Sequence, residues 1–103
     1  MSNKLKDRMV ADMELAGLSR STRETYLQVV DTFVRRTWVS PEAAGEKDLA
    51  EYLRSMQASG AAKGTFKSAR YGLQFLFQNT LGRDWALFKK NSVLQVKNAS
   101  LKH

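Results

Sequence analysis

Apolar residues recur along this chain at helical spacing, and no stretch alternates as a half-buried strand would. Leu5, Met9, Met13 and Ala16 share one face of a helix expected over about residues 3–16, which Gly17 stops. A second helix starts after a serine cap, Ser19 or Ser21, and runs to about residue 38. Its apolar arc is Tyr26, Val29, Val30, Phe33 and Val34. Ser40-Pro41-Glu42 reads as a turn or a single helical turn. A third helix spans about residues 46–59, with Leu49, Tyr52, Leu53 and Met56 at i, i+3, i+4 and i+7, and Gly60 ends it.

The fourth helix, about residues 62–81, carries most of the information. At about 100° per residue, Phe66, Ala69, Leu73, Leu76 and Phe77 fall in one arc, and Phe75 widens the apolar surface on the far side. So broad a surface predicts packing against more than one neighbour. The remaining sector holds Lys63, Lys67, Arg70, Tyr71, Gln74 and Gln78 and no acid. Beyond Gly82, Trp85, Leu87 and Phe88 return to the bundle, while Val93, Leu94 and Val96 form a last helix or a tail. The expected core contains Tyr26, Val30, Phe33, Leu49, Leu53, Phe66, Leu73 and Leu76. The fold class is all-α, a bundle of four to five helices in one domain.

Charge sharpens this picture through its distribution. The formal net charge is +7, yet residues 1–60 hold nine basic and nine acidic side chains. Residues 61–103 hold eight basic side chains and one acid, Asp84, so the whole excess lies in the C-terminal part. Such asymmetry favours a polyanionic partner, because neutralising phosphates releases counterions. The chain has no cysteine, which excludes disulfides and thiolate zinc sites and suits a reducing cytoplasm. No apolar run approaches the length of a spanning helix, and no membrane partner is expected.

Catalytic chemistry is missing. The one histidine is the terminal His103, so no metal cluster and no Ser-His or Cys-His pair can form within an ordered core. The run Gly60-Ala61-Ala62-Lys63-Gly64-Thr65 lacks the glycine spacing of a phosphate loop and follows a helix rather than a strand. No cofactor is expected, and the chain reads as a binding module.

Binding chemistry is present. A helix in the major groove needs donors and acceptors for base edges along one stripe, and cations or hydroxyls at its margins for phosphates. The fourth helix offers Lys63 and Thr65 at its start, where free backbone N–H groups also favour a phosphate. Lys67, Ser68 and Tyr71 follow, with Arg70 and Gln74 at the edge, and Gly64 leaves room for close backbone approach. The second helix opens on Ser19-Arg20-Ser21-Thr22-Arg23. Capping explains the hydroxyls. Arginines at a helix N-terminus oppose the macrodipole, and an external phosphate would reverse that cost. Thr25 and Gln28 lie off its apolar arc, within reach of bases. The expected base readers are Thr25, Gln28, Lys67, Ser68 and Tyr71; the expected phosphate contacts are Arg20, Thr22, Arg23, Lys63 and Thr65. The plain alternative is a solvated helix face, or a basic helical module that meets an acidic protein or a membrane surface.

These residues also resemble a family. Leu18-Ser19-Arg20-Ser21-Thr22 followed by Tyr26, Val30 and Phe33 is similar to the second helix of the N-terminal core-binding, SAM-like domain of tyrosine recombinases, the phage integrases among them. Ser40-Pro41-Glu42, Asp48-Leu49, Tyr52-Leu53, Lys63-Gly64-Thr65-Phe66 and Leu81-Gly82-Arg83-Asp84-Trp85 continue the likeness over about residues 5–88. Gly45 departs from the Thr or Ser that usually caps the third helix, and Gly64 from a polar residue that often contacts DNA. The resemblance implies a domain over residues 1–88 that holds one side of a recombination site in double-stranded DNA, with the start of an interdomain linker over 89–103. It implies a C-terminal catalytic domain of the same parent chain, closing a C-shaped clamp, and further recombinase protomers on the DNA. In that family a tyrosine attacks the phosphodiester without a metal. Here there is no His-x-x-Arg, and Tyr26, Tyr52 and Tyr71 all fall within helices, so no catalysis is expected of these residues.

Overall fold

The computed structural model describes residues 2–88, and they form an all-α bundle: α1 (Asn3–Leu15), α2 (Arg20–Thr37), α3 (Glu46–Ala58) and α4 (Lys63–Gln74). The expected linker over 89–103, with Val93, Leu94 and Val96, lies outside the described residues. Three of the four α-helices begin at a hydrogen-bonded cap, and α4 begins at Ala62 without one. Ser2 and Ser19 cap α1 and α2 by accepting the N–H of Leu5 and of Thr22, each at 3.2 Å. At α3 the cap residue is Gly45, whose missing side chain leaves half a capping box; the Asp48 carboxylate accepts the Gly45 N–H at 2.8 Å. Gly17 and Gly60 end α1 and α3 in the left-handed region, at φ 77° and 83°. The Ser40-Pro41-Glu42 segment is a single turn, with Ala43 and Ala44 both donating to the Ser40 carbonyl at 3.0 Å.

Two features depart from simple α-periodicity. Past Gln74 the fourth helix widens into a π segment, Phe75–Thr80, where the Leu81 N–H reaches the Leu76 carbonyl at 2.9 Å. The α2 helix ends without glycine: Trp38 itself adopts φ 60° and leaves its side chain 92% exposed. A short 3-10 turn, Ala86–Phe88, closes the described chain.

The core is built by the faces the apolar spacing predicts. Met9, Met13, Val30, Phe33, Leu49, Leu73, Leu76 and Phe77 are fully buried, and Leu5 and Leu53 nearly so. Phe33 sits at the centre, edge-on to Tyr52 at 5.1 Å and to Phe77 at 5.9 Å. The fourth helix serves several neighbours: α4 packs on α2 and α3, and its π segment on α1. Tyr26 and Phe66 flank this core half-buried rather than lying within it, and Ala16, past the end of α1, is exposed. A ring at the edge of a helix–helix contact covers the core with one face and keeps the other in solvent.

Candidate nucleic-acid interface

The α2 and α4 helices cross closely, and a glycine permits it. A β-carbon on Gly72 would stand 3.2 Å from Val29 Cγ1, 3.3 Å from Tyr26 Cδ1 and 3.4 Å from Tyr26 Cα. Glycine inside a helix is unfavourable by about 1 kcal/mol against alanine, so Gly72 exchanges helix propensity for close approach. Sequence reasoning passed over this residue; a glycine amid an otherwise regular helical run was the signal.

On one side of the crossing lies an open groove of about 370 Å³. Its walls are Ser21, Thr22, Thr25 and Tyr26 from α2, and Gly64, Lys67, Ser68 and Tyr71 from α4. Five of the sequence-predicted contact residues, Thr22, Thr25, Lys67, Ser68 and Tyr71, thus meet in one place although two separate helices carry them. Gly64 forms part of the wall with no heavy atom near its missing β-carbon, so backbone is open to approach there. Ser21 and Tyr26 complete the walls. Neither had been counted among the contact residues, Ser21 being read as a cap and Tyr26 as core.

The other predicted residues surround this groove or lie apart from it. Gln74 lines an adjoining groove that shares Tyr26 and Tyr71 with the first. Gln28 and Lys63 are exposed outside both linings. Thr65 lines another groove, shared with Thr32, Arg36 and Tyr52. The Arg70 guanidinium stands over the Tyr71 ring, 5.3 Å from its centroid.

The charged groups differ in how far the fold itself employs them. Arg23 donates to the Leu18 carbonyl at 2.8 Å and so ties α2 to the segment that follows α1. Arg20 pairs with Glu24 across one turn at 3.2 Å, with both side chains exposed, an arrangement worth little in water. The Arg23 bond supplies a structural reason for that arginine, and the exposed Arg20 pair supplies little. Lys63 and Lys67 have no ion-pair or hydrogen-bond partner among the described residues. Lys63 stands in the first turn of α4, where a cation opposes the helix dipole.

The family model of the phage integrase N-terminal SAM-like domain matches residues 5–87. Over 82 residues, 79% of the chain, the sequence is 32% identical to a provisional integrase/recombinase of Sinorhizobium fredii, y4qK. The match covers 27% of that relative's length. No solved structure matches the chain significantly. Among the described residues no helix is long and apolar enough to cross a membrane.

Proposed function

The chain belongs to the N-terminal SAM-like domain family of phage integrases, and from that premise we propose that it is the DNA-gripping part of a site-specific tyrosine recombinase. In this reading α2 and α4 lie against one side of the recombination site in double-stranded DNA. Residues 1–88 form the binding domain and 89–103 begin the linker to a catalytic domain of the same parent chain. That domain and further protomers complete the clamp, in the cytoplasm. Residues 1–103 themselves cleave and join no strand.

The observation that supports the reading is the α2–α4 groove. It gathers hydroxyls from Thr22, Thr25 and Ser68 beside the unpartnered Lys67. Around it the α4 stripe carries no acid. Hydroxyls and an ammonium serve both phosphate oxygens and base edges. Thr25, Gln28, Lys67, Ser68 and Tyr71 are assigned to bases. Arg20, Thr22, Arg23, Lys63 and Thr65 are assigned to phosphates, with Arg70 and Gln74 at the margin.

The test is a fluorescence titration of duplex DNA at several salt concentrations. Half a clamp lacks the other half's linked contacts, so a dissociation constant of about micromolar or weaker at physiological salt is expected, and it should be steeply salt dependent. Lys67→Ala and Tyr71→Ala should narrow the preference for a cognate half-site over a scrambled one, by about 1–3 kcal/mol per lost base contact. Arg20→Ala should weaken both duplexes alike and lower the salt slope by about one unit. Binding to anionic vesicles in place of DNA, or Lys67 and Tyr71 variants that bind as the parent does, would overturn the assignment.

A further inference from the structure

The groove adjoining the α2–α4 groove differs from it in chemistry. Leu18, Tyr26 and Phe75 supply apolar lining, and the amides Gln74, Gln78 and Asn79 supply polar lining. No charged side chain lines it, whereas its neighbour contains Lys67. Tyr71 is the ridge between the two, 42% exposed. The π segment contributes Phe75, Gln78 and Asn79. Widened turns of this kind concentrate at functional sites in helices.

A phosphate only accepts hydrogen bonds and favours a cation, whereas a base edge uses the donors and acceptors of an amide together, so an uncharged lining with amides suits a base edge better. Gln74 Nε2 donates to Gln78 Oε1 at 3.0 Å. One donor and one acceptor are used in that bond, which leaves an amide acceptor and further amide donors unused. That combination complements adenine N6–H and N7 in the major groove. The partner of adenine presents a methyl group there, the one apolar feature on any base edge.

We propose that this groove reads an A·T pair, with the thymine 5-methyl against Leu18, Tyr26 and Phe75 and the linked glutamines on adenine. The proposal rests on the reading of α2 and α4 as the DNA-facing helices, and it adds a source of sequence preference to that surface. Burial of one methyl group is worth about 0.8 kcal/mol, which is about fourfold in affinity.

The experiment titrates the full chain, at low salt, with a short duplex of alternating adenine and thymine and with the same duplex carrying uracil for thymine. Pairing is unchanged and only the methyl is lost. The parent should bind the thymine duplex about fourfold more tightly. Leu18→Ser should retain the salt slope and bind the two duplexes with a smaller difference, with its melting curve recorded, and the milder Leu18→Ala stands in should Leu18→Ser fail to fold. The exposed Gln78→Ala should keep the thymine preference and lose affinity for the alternating duplex relative to a G·C duplex of the same length. Equal binding of both duplexes by the parent overturns the inference and leaves the DNA reading intact. A thymine preference that survives in a folded Leu18 variant overturns it too, because the methyl is then read elsewhere. Failure to bind either duplex overturns both the inference and the reading beneath it.

Discussion

Gly64 and Gly72 stand on the same helix and invite the same substitution, yet their surroundings predict opposite results. A β-carbon at Gly64 meets no heavy atom within 4 Å. Gly64→Ala therefore gains helix propensity, worth at most about 1 kcal/mol and less in a first turn. The same β-carbon at Gly72 enters contacts of 3.2–3.4 Å with Val29 and Tyr26. Val29 is β-branched and strongly prefers one rotamer in a helix, and one of the Tyr26 atoms is backbone, so only the Tyr26 ring can yield. Overpacking of this kind costs about 1–3 kcal/mol. Against the full interior propensity gain of about 1 kcal/mol, the net loss for Gly72→Ala is roughly 0–2 kcal/mol. In a domain of this size, 1 kcal/mol moves the melting temperature by roughly 4–8 °C. Thermal melts at neutral pH should place Gly64→Ala a few degrees above the parent and Gly72→Ala below it.

Duplex titration then separates packing from contact. Gly64 forms part of the α2–α4 groove wall, so a methyl group there should weaken DNA binding while stability rises. Greater stability with weaker binding cannot come from damage to the fold. A Gly72→Ala chain that melts higher than the parent refutes the close-crossing argument. A stabilised Gly64→Ala chain with parental affinity refutes the backbone approach at the groove.

Other substitutions test single features of the fold. Thr80 is 5% exposed and its hydroxyl has no hydrogen-bond partner among the described residues; Thr80→Val should raise stability by about 1 kcal/mol, and a lower melting temperature would show that the hydroxyl is satisfied. Trp38→Gly should relieve roughly 1 kcal/mol of left-handed strain without loss of packing, since the indole is 92% exposed; a destabilised variant would mean that the indole packs. Burial raises the Tyr52 phenol above its usual value of 10.0, opposed by the nearby Arg36 charge. The folded state thus holds this proton more tightly than the unfolded state, and the associated stability is lost as pH rises above 10.0. Tyr52→Phe should melt close to the parent at pH 7 and lose less stability than the parent at strongly alkaline pH, and parallel losses would show that the phenol does not matter.

Much of this fold is legible in local patterns. Leu5, Met9 and Met13 form a buried stripe because their spacing leaves no other face for them, and Gly17 and Gly60 mark ends because the left-handed residue is easiest for glycine. What escaped local reading depends on partners distant in sequence. The π segment adds a residue to one turn without changing which residues are apolar, so a wheel drawn at a constant angle cannot register it. The bond from Arg23 to the Leu18 carbonyl escaped it as well, because a backbone acceptor leaves no trace in a side-chain pattern. Thr22 and Thr25 could be assigned to one helix and Lys67 and Ser68 to another, but their meeting in one groove follows from how α2 crosses α4 at Gly72.

That crossing also explains how one helix can serve as both core and proposed contact surface. The apolar arc of α4 is held by α2 and α3, and its π continuation by α1. A helix fixed on several sides presents its remaining stripe in a defined orientation, and groove recognition depends on such preorganisation. The stripe carries unfavourable electrostatics for an isolated domain. Lys63 and Lys67 repel across one turn, Lys63 opposes the helix dipole, and no acid lies within α4 or its π segment. Buried side chains such as Leu73, Leu76 and Phe77 hold the helix in place despite this. A phosphate backbone near the α4 N-terminus would change the sign of both terms, since its charge attracts the lysines and complements the dipole. Packing from Ala69 to Phe77 therefore permits the cation placement at Lys63 and Lys67, and that placement becomes favourable when a polyanion is present.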